Sequence, residues 1–191
     1  IDATYNFFFW FCIYIQFPES SKWQCFFIYI HGCPKGKHTH RSCLLNIPDY
    51  KDLVKRLVKS GWKIALIELP NLKDTSDYWD DGGLKYRDAY ISKLKQVVEV
   101  MEFADQRKYN WYIGAISYGG LHALIGAGKL KVFKKYVAVL PVTKLNALSE
   151  FSKYCNVDYF DPFNEVPNLK YSKGYIFYNI SDTKVNGLFS E

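Results

Sequence analysis

Short apolar runs alternate with amphipathic stretches along most of this chain, and the two periods set the predicted elements. Residues 5–17 read as strand or hairpin, followed by a turn at Pro18-Glu-Ser-Ser. Phe26-Phe-Ile-Tyr-Ile30 is continuously apolar, as expected of a strand buried on both faces. It runs into His31-Gly32-Cys33-Pro34-Lys35-Gly36, a segment of turn formers. Residues 47–60 carry Tyr50, Leu53, Val54, Leu57 and Val58 on one helical face, with Pro48 suited to the first turn and Gly61 to the position past the end. Lys63–Leu69 is a strand stopped by Pro70, and residues 71–83 form a polar loop. Residues 84–105 predict a second helix, with Tyr90, Leu94, Val97, Met101 and Ala104 as its buried stripe. Trp111–Ile113 is a short strand, Leu121–Gly126 a helical stretch, and Tyr136–Leu140 and Gly174–Tyr178 are two more strands.

Strands alternating with helices imply βαβ units and a mainly parallel central sheet, so the fold class is α/β. No repeat or low-complexity linker divides the chain, and 191 residues suit one domain spanning 1–191. Hydrophobic residues at 49% allow a packed core, which argues against disorder. The first residue is Ile rather than Met, so a processed or partial product is expected, with sequence missing at either end.

The formal charge of +6 is scattered. Lys134-Lys135 and the run from Lys35 to Arg41 are the densest basic stretches, and neither has the length of a nucleic-acid arm, so a solvated basic surface is expected and no nucleic-acid partner. The apolar run Phe7–Phe17 is too short to span a bilayer, so no transmembrane segment is expected. Five cysteines without close spacing argue against a disulfide framework, and favour a cytoplasmic or organellar setting over a secreted one.

The residues that carry chemistry lie where strands end. Ala115-Ile-Ser117-Tyr-Gly119-Gly120 follows a strand and precedes a helix. A tight turn of this kind exposes a serine and aims a helix N-terminus at developing negative charge. Crowding in the turn demands small residues two positions to either side of the serine, here Ala115 and Gly119. The bland alternative is a glycine-rich turn holding an ordinary serine. Two rival motifs fail on spacing. Gly32–Lys37 has three residues between its glycines where a phosphate loop needs four, and His38 follows the lysine. Cys33, His38, His40 and Cys43 are metal-ligating types without a ligand pair at zinc spacing. Asp77, Asp80 and Asp81 read as a solvated loop bordering a pocket.

Taken in order, Ile30-His31-Gly32-Cys33-Pro34, Ser117-Tyr118-Gly119-Gly120 and Tyr175–Val185 resemble the α/β-hydrolase superfamily, in particular its prolyl-oligopeptidase-like and dienelactone-hydrolase-like members. The resemblance covers roughly residues 23–186. It implies a three-layer α/β-hydrolase-like domain and a serine hydrolase acting on an ester or amide. Ser117 would be the nucleophile and Asp182 the acid that orients the base. The backbone N–H groups of Cys33 (or Gly32) and Tyr118 would form the oxyanion hole. Asp158 and Asp161 are weaker alternatives for the acid. Neither a cofactor nor a metal is implied, and the substrate would be a small acyl compound or a peptide. The family places its catalytic histidine after the acid, yet His31, His38, His40 and His122 all precede Asp182. His122, five residues past Ser117 on the helix, is expected to face away from it in a surface or packing role. Three readings stay open: a histidine beyond Glu191, one supplied by another chain, or a domain without catalysis that serves as a binding or structural subunit. Such a domain would also expose a sheet edge, which demands a protein partner or a cover.

Overall fold

The computed structural model describes residues 25–30, 48–67, 83–139, 141–142 and 161–177. The expected strand at 5–17 and the loop at 71–82 lie outside the described residues.

Helix α1, Pro48–Lys59, begins on its proline and ends in a Schellman turn. Gly61 takes the left-handed φ of 85° that this turn requires, so that the Trp62 N–H reaches the Leu57 carbonyl at 3.0 Å and the Gly61 N–H that of Val58 at 3.0 Å. Helix α2, Leu84–Ala104, closes the same way, with the Arg107 N–H on the Glu102 carbonyl. Here the left-handed position is held by Gln106, at φ 49°.

Strands β1, Cys25–Ile30, β2, Lys63–Leu66, β3, Asn110–Ile116, β4, Phe133–Val139, and β5, Lys173–Phe177, form a five-stranded sheet in the order β2-β1-β3-β4-β5. Every pairing is parallel. The α/β class with a parallel sheet therefore holds. One cross-sheet row runs Ile30, Ala115, Ala138, Ile176, so the carboxyl ends of β1, β3, β4 and β5 share one edge. Helix α3, Tyr118–Lys129, leaves β3 at that edge and returns toward the amino edge.

Strand β3 is longer than the apolar run predicted, because Gly114 and Ala115 continue the ladder although they lack the bulk of strand formers. Its residues from Trp111 to Ala115 are all buried, as befits the central strand. Helix α3 starts three residues earlier than its apolar stretch suggested and reaches Lys129. A 3-10 turn, Pro162–Glu165, and a short helix α4, Val166–Leu169, were not anticipated.

One core joins α2, α3 and the face of β3 and β4 that carries Ile113, Ala115, Tyr136 and Ala138. The buried stripe of α2 is Tyr86, Tyr90, Leu94 and Val98. Steps of four rotate further around the helix than the mixed steps predicted, and Ala104 is left exposed while Val97 and Met101 are only partly covered. Val58 of α1, expected on the inner face, is 52% exposed, whereas Leu57 is buried. Among the described residues no helix is long and apolar enough to cross a membrane.

Candidate active site

Ser117 occupies the single residue between the end of β3 and the start of α3. Its backbone sits at φ 55°, ψ −126°, a region that side-chain-bearing residues rarely visit. Holding a non-glycine residue there costs about 1–3 kcal/mol, and it persists only where surrounding bonds over-determine it. Three such bonds are present. The Ser117 N–H donates to the Val139 carbonyl at 2.8 Å, and the Ser117 carbonyl accepts from Gly120 N–H at 2.8 Å and from Val142 N–H at 3.3 Å. The turn is thus bonded to the end of β4 and to the chain just beyond it.

A serine at this position commonly caps its helix by accepting a backbone N–H on its side-chain oxygen. Ser117 makes no such capping bond to α3. The small neighbours have physical reasons. Ala115 is completely buried in the sheet-to-helix core. A Cβ built on Gly120 would lie 2.9 Å from both Cα and Cβ of Pro141, so a glycine lets α3 approach the segment after β4. The Tyr118 amide, at the first helical position, is one of the N–H groups for which helix geometry supplies no partner.

The other expected site residues divide. Gly32, Cys33 and Asp182 lie outside the described residues. The strands that lead to them are described: Ile30 is in register with Ala115, two residues before Ser117, and Phe177 is in register with Val139, whose carbonyl holds the Ser117 N–H. Asp158 is also outside the described residues, as are His31, His38 and His40. Asp161 accepts the Phe163 N–H at 2.9 Å and caps the 3-10 turn, so its carboxylate is engaged in local structure.

His122 is fully buried. Its Nε2 lies 2.8 Å from the Tyr86 hydroxyl, its ring packs edge-on against Tyr90, and its backbone carbonyl accepts the Tyr90 O–H at 2.7 Å. The packing role expected of it is the one observed. Burial pushes the Tyr90 phenol well above its ordinary value, and the nearby Tyr86 adds to this. The histidine therefore ties α3 to α2 behind the serine.

Three ionic groups escaped the sequence reading. Glu165, buried at the end of the 3-10 turn against Gly128 of α3, takes the Lys129 ammonium at 2.8 Å and the Asn168 amide at 3.1 Å, and fastens the 162–169 segment to the helix. Glu102 accepts from Trp111 Nε1 at 2.9 Å, Tyr109 N–H at 3.2 Å and Lys108 at 2.6 Å. Lys63 and Tyr109 share the Asp105 carboxylate. The pair Asp161-Pro162, a capping residue before a proline, is the signal that would have located the first; the Glu102 bonds span only the end of α2 and the start of β3, whereas Lys63 and Asp105 are 42 residues apart and had no such signal.

No family model matches the chain, and no curated protein matches its sequence.

Proposed function

We propose that this chain is a serine hydrolase of α/β-hydrolase type that forms an acyl-enzyme at Ser117. The observation that carries this reading is the strained, non-capping serine between β3 and α3. Two further features support it. The strand order β2-β1-β3-β4-β5 reverses direction between β1 and β3, and ligands of open parallel sheets bind in the crevice at that reversal, outside the carboxyl ends. Ser117 follows β3 on that edge. The right-handed crossover rule also sends α1 to the face opposite α2 and α3, which is the three-layer arrangement the motifs imply.

In this mechanism the Ser117 oxygen attacks the carbonyl carbon of an ester or amide while a histidine takes its proton. The Tyr118 N–H, with that of Cys33 or Gly32, meets the oxygen that gains negative charge; such a donor contributes about 3–4 kcal/mol to transition-state stability. Collapse expels the alcohol or amine, protonated by the same histidine, and water then releases the acid by the reverse sequence. Asp182, five residues past the end of β5 in sequence, orients the histidine. The base is not His122, whose ring nitrogen is held against Tyr86.

That commitment of His122 also favours a second reading, in which the domain keeps the turn without the chemistry and acts as a binding or structural subunit. Fluorophosphonate labelling with mass mapping separates them. A Ser117 adduct absent from Ser117→Ala establishes an activated nucleophile. A folded sample that takes no label removes the hydrolase reading and leaves the subunit.

A further inference from the structure

Just over one turn along α3 from Ser117, the imidazole of His122 is gripped by two phenols of α2. Tyr86 and Tyr90 stand four residues apart on the buried face of that helix, so both reach the same neighbour. Each ring meets the imidazole edge-on, with centroids 5.7 Å and 5.0 Å away. Two directional bonds add to this contact. The Tyr86 hydroxyl lies 2.8 Å from His122 Nε2, and the Tyr90 O–H donates to the His122 carbonyl at 2.7 Å. The Tyr90 hydroxyl fits there because position 126 is glycine; a Cβ on it would come within 3.1 Å of that oxygen. Burial holds the Tyr90 phenol in its protonated, donating form.

Packing alone does not call for this chemistry. Leu121, Ala123, Leu124, Ile125 and Ala127 already bury α3 in the core, and a leucine with two phenylalanines would extend that core without burying polar atoms. A satisfied polar network, by contrast, specifies one arrangement, and so fixes the rotation and register of the helix. Helix α3 needs that, because four of its twelve residues are glycine, with Gly119 and Gly120 in its first turn. Glycine weakens a helix through the freedom it has in the unfolded chain. The same first turn carries the Tyr118 N–H, the donor offered to the oxyanion in the proposed function. At the far end, Lys129 and Glu165 tie the helix to the 162–169 segment. Resting on the reading of Ser117 as nucleophile, we infer that Tyr86, Tyr90 and His122 are positioning residues. They hold the glycine-rich start of α3 so that the Tyr118 N–H and the Ser117 oxygen keep their reacting geometry. A misplacement of about 1 Å at a reacting centre can cost about a hundredfold in rate.

The test joins fluorophosphonate labelling kinetics of the full chain to amide hydrogen exchange. Tyr86→Phe removes one hydroxyl and keeps the ring. It is expected to lower the labelling rate at saturation about tenfold while the half-saturating concentration stays within about twofold, since a displaced oxyanion donor acts on the transition state rather than on binding. His122→Gln keeps a polar atom near the place of Nε2 and is expected to label faster than His122→Leu. Should the histidine variants fail to fold, Tyr86→Phe decides alone. Asp105→Asn, whose partners Lys63 and Tyr109 lie at the amino edge of the sheet, controls for lost stability and is expected to label as the wild type does. Exchange of the Gly120 amide, bonded to the Ser117 carbonyl, is expected to quicken about tenfold in Tyr86→Phe relative to the Leu130 amide at the other end of α3. Labelling of Tyr86→Phe at the wild-type rate, or equal slowing in Asp105→Asn, would overturn the inference and leave the hydrolase reading standing. A wild type that takes no label removes the hydrolase reading instead, and Gly120 exchange then decides the hold on α3: quickened, the hold stands; unchanged, it falls.

Discussion

Replacing Ser117 with glycine is expected to stabilise the fold while abolishing any nucleophile. The wild-type residue holds φ 55°, ψ −126° against the steric preference of its Cβ, at about 1–3 kcal/mol. Glycine removes that strain, but its freer unfolded chain returns about 0.5–1 kcal/mol. At the middle of these ranges the net gain is about 1 kcal/mol. Ser117→Ala keeps the Cβ and hence the strain, and loses from a half-buried residue a hydroxyl that does not cap the helix, so it should stay within about 0.5 kcal/mol of wild type. For a chain of this size each kcal/mol moves the midpoint by about 2–4 °C. Urea and thermal denaturation of the three proteins side by side give the comparison. A glycine variant no more stable than the alanine variant would refute the claim that this turn is strained, and with it the main support for a nucleophile position.

Gly120→Ala should destabilise by about 1–3 kcal/mol, since its methyl meets Pro141 at 2.9 Å and α3 must move; denaturation reads the loss, and slower fluorophosphonate labelling reads the displaced turn. Gln106→Gly relaxes a left-handed helix end and should raise stability by about 0.5–1 kcal/mol in the same assay. Asp105 is held below its ordinary value of 3.8 by the Lys63 ammonium and then the Tyr109 hydroxyl, and Lys63 is raised above 10.5, chiefly by Asp105. Their contribution is complete between those two ordinary values; it is lost as pH falls through the depressed carboxylate and as pH rises through the elevated ammonium. Asp105→Asn should flatten both limbs of the stability–pH curve. Glu102 feels burial pushing its carboxyl up, yet Lys108, the Trp111 indole and the Tyr109 N–H together hold it down. Its contribution is present above the ordinary carboxylate range and is lost in acid; Glu102→Gln should reduce the acid-limb slope, as followed by Trp fluorescence against pH.

Local signals in the sequence located most of the described elements, because each is written in adjacent residues. Pro48 and Gly61 mark the two ends of α1, and Phe26–Ile30 is a strand by composition alone. The same reasoning missed where locality fails. Gly114 and Ala115 are poor strand formers, yet neighbours on both sides extend β3 through them. Ser117 was identified by its small neighbours, while its backbone strain follows from bonds to Val139 and Val142, more than twenty residues on, which no window around the motif contains. His122 could be excluded as base by helical spacing, but its partner Tyr86 is 36 residues away and had no sequence signature.

A glycine-rich strand-to-helix turn by itself says little about chemistry, since glycine and alanine satisfy the packing. The informative residue is the one that the packing does not want. At position 117 the fold needs a positive φ, a helix start and a backbone bonded to β4, and glycine would meet all three without strain. The structural benefit a serine usually brings at a helix start, a side-chain cap, is absent. The hydroxyl therefore brings no helix cap to offset about 1–3 kcal/mol of strain. Steric strain without a cap in return, at the carboxyl end of the central strand and beside the reversal of strand order, is the pattern expected where a side chain is held out for a reaction. A Ser117→Gly protein that is more stable and unreactive, beside a wild type that is less stable and labelled, would display that trade directly.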